Sequence, residues 1–142
     1  MTFNIKLASS DLLVKIFNAK WTKMINIINT VDNNKNIQKA IVASASVIKM
    51  CNTVIIDIIA DFIINNPSIS RQINNDCEKF VNRFLTKKIN YKSIYKSTID
   101  SYITADILSL WMIISKCQKK KLLETVQQLN RISIIYNNRN NN

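Results

Sequence analysis

Residues 41–64, IVASASVIKMCNTVIIDIIADFII, are the most apolar run of the chain and constrain everything around them. Ile41, Ala45, Ile48, Asn52, Ile55, Ile59 and Phe62 recur at alternating spacings of four and three, and only Asn52 among them is polar. That is helical periodicity. A strand of this length would lie far beyond the usual ~3–10 residues. A membrane helix would need about 20 apolar residues nearly free of charge. Lys49, Asp57 and Asp61 interrupt the run, and a charge at mid-bilayer costs about 2.5–3.5 kcal/mol. The run therefore reads as one buried helix over about 38–65, stopped by Asn65, Asn66 and Pro67. Val42, Val47, Val54, Ile56, Ile58 and Ile63 lie off the main stripe, so neighbours must pack on several sides of it.

What can surround such a helix follows from what the chain lacks. It has no Gly and a single Pro, Pro67, in 142 residues. Tight hairpins need residues at positive φ, which disfavours an all-β fold. Helices remain open to it, with Asn expected to serve as the left-handed cap that Gly usually supplies. The expected fold is all-α: a single-domain bundle of five to seven helices around the hydrophobic central helix, covering 1–136, with 137–142 a disordered polar tail.

The first helix should start at Ser9 or Ser10 with Asp11 in its first turn. Leu13, Phe17, Trp21, Met24 and Ile28 form its stripe, and the aromatic pair reads as core. Residues 30–37 read as a loop. A third helix begins near Ser68 or Ser70, carries Ile73, Cys77, Phe80 and Phe84, and ends at Lys87 and Lys88. Residues 91–116 read as helical, with a break near 103. The last helix is expected over 119–136, with Leu122, Leu123, Val126, Leu129 and Ile132 facing inward.

Little catalytic chemistry is available. Without His there is no Ser-His or Cys-His pair. Without Gly there is no phosphate-cradling loop. Cys51, Cys77 and Cys117 are dispersed, so neither a zinc site nor a disulfide framework is expected. They fit reduced thiols in a cytoplasmic-type, intracellular compartment. Neither a secretory signal nor a C-terminal membrane anchor is expected. Asp57 and Asp61 share a helix face and read as solvated or ion-paired acids. The chain is expected to be a non-enzyme without cofactor or metal.

The formal charge is +11. Lys87, Lys88, Lys92 and Lys96 interleave with Tyr91 and Tyr95, and Lys116, Lys119, Lys120 and Lys121 form a second cluster. Lysines neutralise phosphates and tyrosines stack on bases, so a nucleic-acid-binding or packaging protein is one reading. Solvated faces and helix C-terminal charge are the other. The Ile, Asn and Lys bias also points to AT-rich coding, as in many large DNA viruses, some parasites and some reduced bacteria, which inflates the lysine count irrespective of mechanism.

Three stretches resemble motifs of the Bcl family of apoptosis regulators. Ile56-Asp57-Ile58-Ile59-Ala60-Asp61-Phe62-Ile63 resembles the family's death-motif helix, matching at Ile56, Ile59, Ala60, Asp61 and Ile63. Ile89-Asn90-Tyr91-Lys92-Ser93-Ile94 resembles its I-N-W-G-R-I, with Asn90 identical, Tyr91 an aromatic replacement, and Lys92 and Ser93 standing for Gly and Arg. Leu110-Trp111-Met112 looks like the apolar-W-M of a later helix. The resemblance implies an all-helical interaction module that binds a partner's amphipathic helix in a groove. Viral members of that family inhibit host apoptosis or signalling in this way. Ile56, Ile59, Asp61, Asn90 and Tyr91 would be the partner-binding residues. A second copy of the chain is a further partner open to it.

Overall fold

The computed structural model describes residues 4–31, 35–90 and 111–140, and their side chains except those of 31, 35–37, 40 and 84–90. The protein is all-α, and among the described residues there is no strand. A 3-10 turn, Ile5–Leu7, precedes α1 (Ser10–Val31), α2 (Lys35–Met50), α3 (Val54–Asn65), α4 (Pro67–Asn75), α5 (Cys77–Asn90) and α6 (Lys116–Asn140). Residues 111–113 are also helical. The break expected near 103 lies outside the described residues.

The helix boundaries follow local capping chemistry. Ser9 Oγ accepts from the Leu12 amide at 3.2 Å and opens α1. Ser115 Oγ accepts from the Gln118 amide at 3.2 Å and opens α6, three residues earlier than the 119 expected. Asn66 ends α3 and begins α4: its side-chain amide donates to the Phe62 carbonyl at 2.9 Å, and Pro67 takes the first position of α4. Asp76 acts in the same double way. Its backbone amide donates to the Gln72 carbonyl at 3.0 Å, and its carboxylate accepts from the Lys79 amide at 3.1 Å. The single helix expected over 68–88 is therefore two, α4 and α5.

Asn does not cap these ends in the left-handed conformation expected of it. No described residue has positive φ. Asn66 (φ −136°) and Asp76 (φ −158°) turn the chain through non-helical backbone at negative φ instead. Without glycine, these two corners are turned by one non-helical residue and a side-chain cap.

The apolar run at 41–64 is also not one helix. It breaks at Cys51–Thr53 into α2 and α3. Asn and Thr are weak helix formers, and the Asn52 carbonyl accepts from the Asn18 side chain of α1 at 2.9 Å, which holds the turn open. The break resets the helical phase. The face of α3 in the core is centred on Ile56 and Ala60, at 0% and 2% exposure, while Phe62 of the expected stripe is 48% exposed.

Two helices each pack on four others: α6 on α1, α3, α4 and α5, and α3 on α1, α2, α4 and α6. Ser10, at the start of α1, bonds Asn140, at the end of α6, so the two run antiparallel. Leu13, Val14 and Phe17 of α1, Ile56 and Ala60 of α3, and Leu129, Ile132 and Tyr136 of α6 make one continuous core, with Ala8 at its edge. Phe17 is fully buried and stacks on Trp21, ring centroids 6.2 Å apart. The α6 helix runs on to Asn140 where a polar tail was expected from 137. Asn137 donates to the Ala60 carbonyl at 2.8 Å, which ties that last turn to α3.

The three buried polar residues of α6, Thr125, Asn130 and Ser133, are hydrogen-bonded. Thr125 and Ser133 hydroxyls donate to the carbonyls of Lys121 and Leu129 in their own helix, at 2.7 and 2.8 Å. Asn130 reaches across to α4, where its amide donates to the Ser70 carbonyl and to Asn74 Oδ1 and its oxygen accepts from the Ser70 hydroxyl. Hydrogen bonding of this kind is what allows three polar side chains into an apolar interface.

Candidate functional site

An almost wholly apolar cleft of about 210 Å³ lies between α1, α3, α4 and α6. Phe17, Trp21 and Met24 of α1 form one wall and Ile59, Phe62 and Ile63 of α3 the other. Ile69 and Ile73 of α4 and Val126 and Leu129 of α6 close the base, where the bonded pair Ser70 and Asn130 is the polar content. Helix phase explains the assembly: Ile59, Phe62 and Ile63 lie three and four apart and share a face of α3, as do Ile69 and Ile73 on α4. A dry apolar cavity of roughly 150 Å³ accommodates a benzene. This cleft therefore has room for one aromatic or branched aliphatic side chain.

The rim continues the apolar character outward. Ile58 and Phe62 on α3 are 59% and 48% exposed. Ile58 and Phe62 sit one turn apart beside the exposed Asp57 and Asp61. Asp57 is partnered, accepting from the Tyr136 hydroxyl at 2.6 Å. Burial, then this hydrogen bond, holds the Tyr136 phenol above its ordinary pKa.

The residues expected to contact a partner divide. Ile59 lines the cleft; Asp61 is exposed on α3 and is not among the residues that line it. Ile56 is fully buried in the core and faces away from any partner. Asn90 ends α5 with its side chain outside the described set, and Tyr91 lies outside the described residues. Trp111 is held elsewhere: its indole donates to Asn82 of α5 at 3.0 Å, and Lys119 of α6 lies 4.5 Å from its ring centroid. Sequence reasoning missed Trp21, Ile58, Phe62, Ile69 and Ile73 as site residues. Four helices contribute to the cleft, and no single stretch carries its signature.

The lysine clusters fare differently from one another. Lys87 and Lys88 belong to α5 with side chains outside the described set, and Lys92 and Lys96 lie outside the described residues. Lys116, Lys119 and Lys120 line a second cleft of about 540 Å³. Asp76, Glu78 and Glu124 line the same cleft, so carboxylates offset the positive potential that a nucleic-acid backbone would need. Lys121 is exposed beside it.

No described helix is long and apolar enough to cross a membrane, and the described residues hold no cluster of three or more His, Cys, Asp or Glu able to bind a metal ion. The three thiols are free; Cys51 and Cys117 are exposed and Cys77 is buried. Burial, reinforced by Asp76, pushes the Cys77 thiol up to about 11. The hydrogen bond from Thr53 lowers Cys51 from the ordinary value. No family model, curated protein or solved structure matches this chain.

Proposed function

We propose that this protein is a non-enzymatic interaction module whose apolar cleft receives an anchor side chain from an amphipathic helix of a partner protein. The observation that carries the reading is the cleft itself: an apolar opening of side-chain size, continued outward by exposed Ile58 and Phe62. Exposed apolar surface contiguous with a pocket is costly in water and marks interaction sites. A helix laid along α3 would place one anchor between Trp21 and Ile73 and cover Ile58 and Phe62 with the next turn.

The Bcl-like form of this reading, an inhibitor of host apoptosis or signalling, draws support from Ile59 and Ile63. Both belong to the death-motif-like stretch and both line the cleft. The nucleic-acid reading is less favoured, because carboxylates line the described cleft that holds Lys116, Lys119 and Lys120.

Fluorescently labelled amphipathic helices, death-motif sequences among them, test the proposal. Saturable binding that survives added salt and is lost in Phe62→Asp is expected. Phe62 is half-exposed, so this variant keeps the core. Binding only to duplex DNA or RNA, falling steeply with salt, would overturn it.

A further inference from the structure

A third cleft carries a different chemistry. It lies where the 3-10 turn, the end of α4 and the last half of α6 meet, and measures about 620 Å³. Lys6, Arg131 and Arg139 line it together with Asn74 and Asn138, and Ile134 and Ile135 supply apolar wall. Among the described residues no carboxylate lines it, in contrast to the lysine cleft at the other end of α6. Two of the four arginines in the chain are here.

Three features show that these groups are set up as donors. Arg139 Nη2 donates to the Lys6 carbonyl, which fixes the guanidinium against the 3-10 turn. Its Nε is buried without a hydrogen-bond partner, and a buried charged donor without an acceptor is costly until one arrives. Asn74 Oδ1 already accepts from Asn130 at 2.8 Å. Its amide N–H pair is therefore the end available to the cleft. Arg131 stands eight residues, about 12 Å of helix rise, from Arg139. Both line the same cleft, so it presents two guanidinium groups.

We infer that this cleft is a binding site for a phosphate ester, with the phosphate held by Arg131, Arg139 and Lys6 and the organic body resting on Ile134 and Ile135. Guanidinium groups match phosphate oxygens in paired hydrogen bonds. The cleft is independent of the apolar one between α1 and α3. The phosphate can belong to a free metabolite-sized ester or to a lipid headgroup, which share the chemistry the cleft reads.

The test is calorimetric titration of the full chain with inorganic phosphate, pyrophosphate and phenyl phosphate. A parallel arm measures co-sedimentation with phosphatidylcholine vesicles with and without phosphatidylinositol phosphate. Arg131→Gln and Lys6→Gln are each expected to weaken binding about tenfold or more, the scale of a lost charge-assisted hydrogen bond. Lys120→Gln, in the other charged cleft, should stay within about twofold of the parent. Phenyl phosphate should bind more tightly than inorganic phosphate, because the ring covers the isoleucines. Preference for the lipid vesicles with the same variant pattern upholds the site and assigns its ligand to a headgroup. Absence of binding in both arms overturns the inference. So does equal weakening by all three variants, which would mean diffuse charge attraction. Circular dichroism of each variant separates loss of binding from loss of fold.

Discussion

Replacing Asn130 by Ala removes the polar tie between α4 and α6 and should be among the most damaging single changes outside the apolar core. Asn130 and Ser70 are 4% and 5% exposed. Three bonds go: the Ser70 hydroxyl to Asn130 Oδ1 at 3.0 Å, and the Asn130 amide to the Ser70 carbonyl at 3.2 Å and to Asn74 Oδ1 at 2.8 Å. Asn74 is exposed and recovers its bond from water. The Ser70 hydroxyl and carbonyl do not, and each orphaned buried group costs about 1–3 kcal/mol. The carbonyl keeps a second lone pair for its own helix, so its share lies at the low end. The expected loss is about 2–4 kcal/mol, against a total stability of about 5–15 kcal/mol for a domain. Ser70→Ala alone should cost about 1–2 kcal/mol. The double variant should cost clearly less than the sum, because neither group is then left facing a missing partner. Urea unfolding followed by circular dichroism measures all three. A loss below about 0.5 kcal/mol for Asn130→Ala, or strict additivity in the double variant, would refute the reasoning.

Further outcomes follow from the same structure. Phe17→Ala empties a fully buried ring site and should cost about 3–5 kcal/mol by the same urea assay. Tyr136→Phe removes the 2.6 Å bond to Asp57 and should cost about 1 kcal/mol, little because Asp57 is solvated. A thiol reagent should modify Cys51 and Cys117 in the native protein and Cys77 only as fast as the chain opens, since Cys77 is 3% exposed. Because the Cys77 thiol holds its proton more tightly when folded, up to about 11 from 9.0, its contribution is intact below pH 9 and is lost as pH rises toward 11. Urea midpoints should therefore fall over that window, and less steeply in Cys77→Ala.

Much of the architecture was legible because periodicity reports which face is buried. The stripe of α1 put Leu13 and Phe17 in the core, and the structure buries both completely. Periodicity fails where a break preserves spacing. Ile73 and Cys77 stay four apart across Asp76, so the stripe runs on although the helix does not. The Asn74-Asn75-Asp76 triplet was the available signal. At 51–53 the sequence offered only Asn52 and Thr53, and a tertiary bond from Asn18 decides the outcome. The central position of α6 was hidden for another reason. Thr125, Asn130 and Ser133 lower its apparent hydrophobicity, and hydropathy cannot see that each is satisfied by a specific bond. The cleft was illegible because it is a property of four helices in contact. The same phase reset that turned Phe62 outward gave it its rim.

The chain's two tryptophans offer the most direct test of the proposed cleft. Trp21 lines it and Trp111 is bound to Asn82 outside it. In a nitrogen-15 NMR titration with an amphipathic helical peptide, the Trp21 indole signal should shift, together with the amides around Phe62 and Ile73. The Trp111 indole signal should stay in place. A shift confined to Trp111, or no shift at either indole at saturating peptide, would contradict the account.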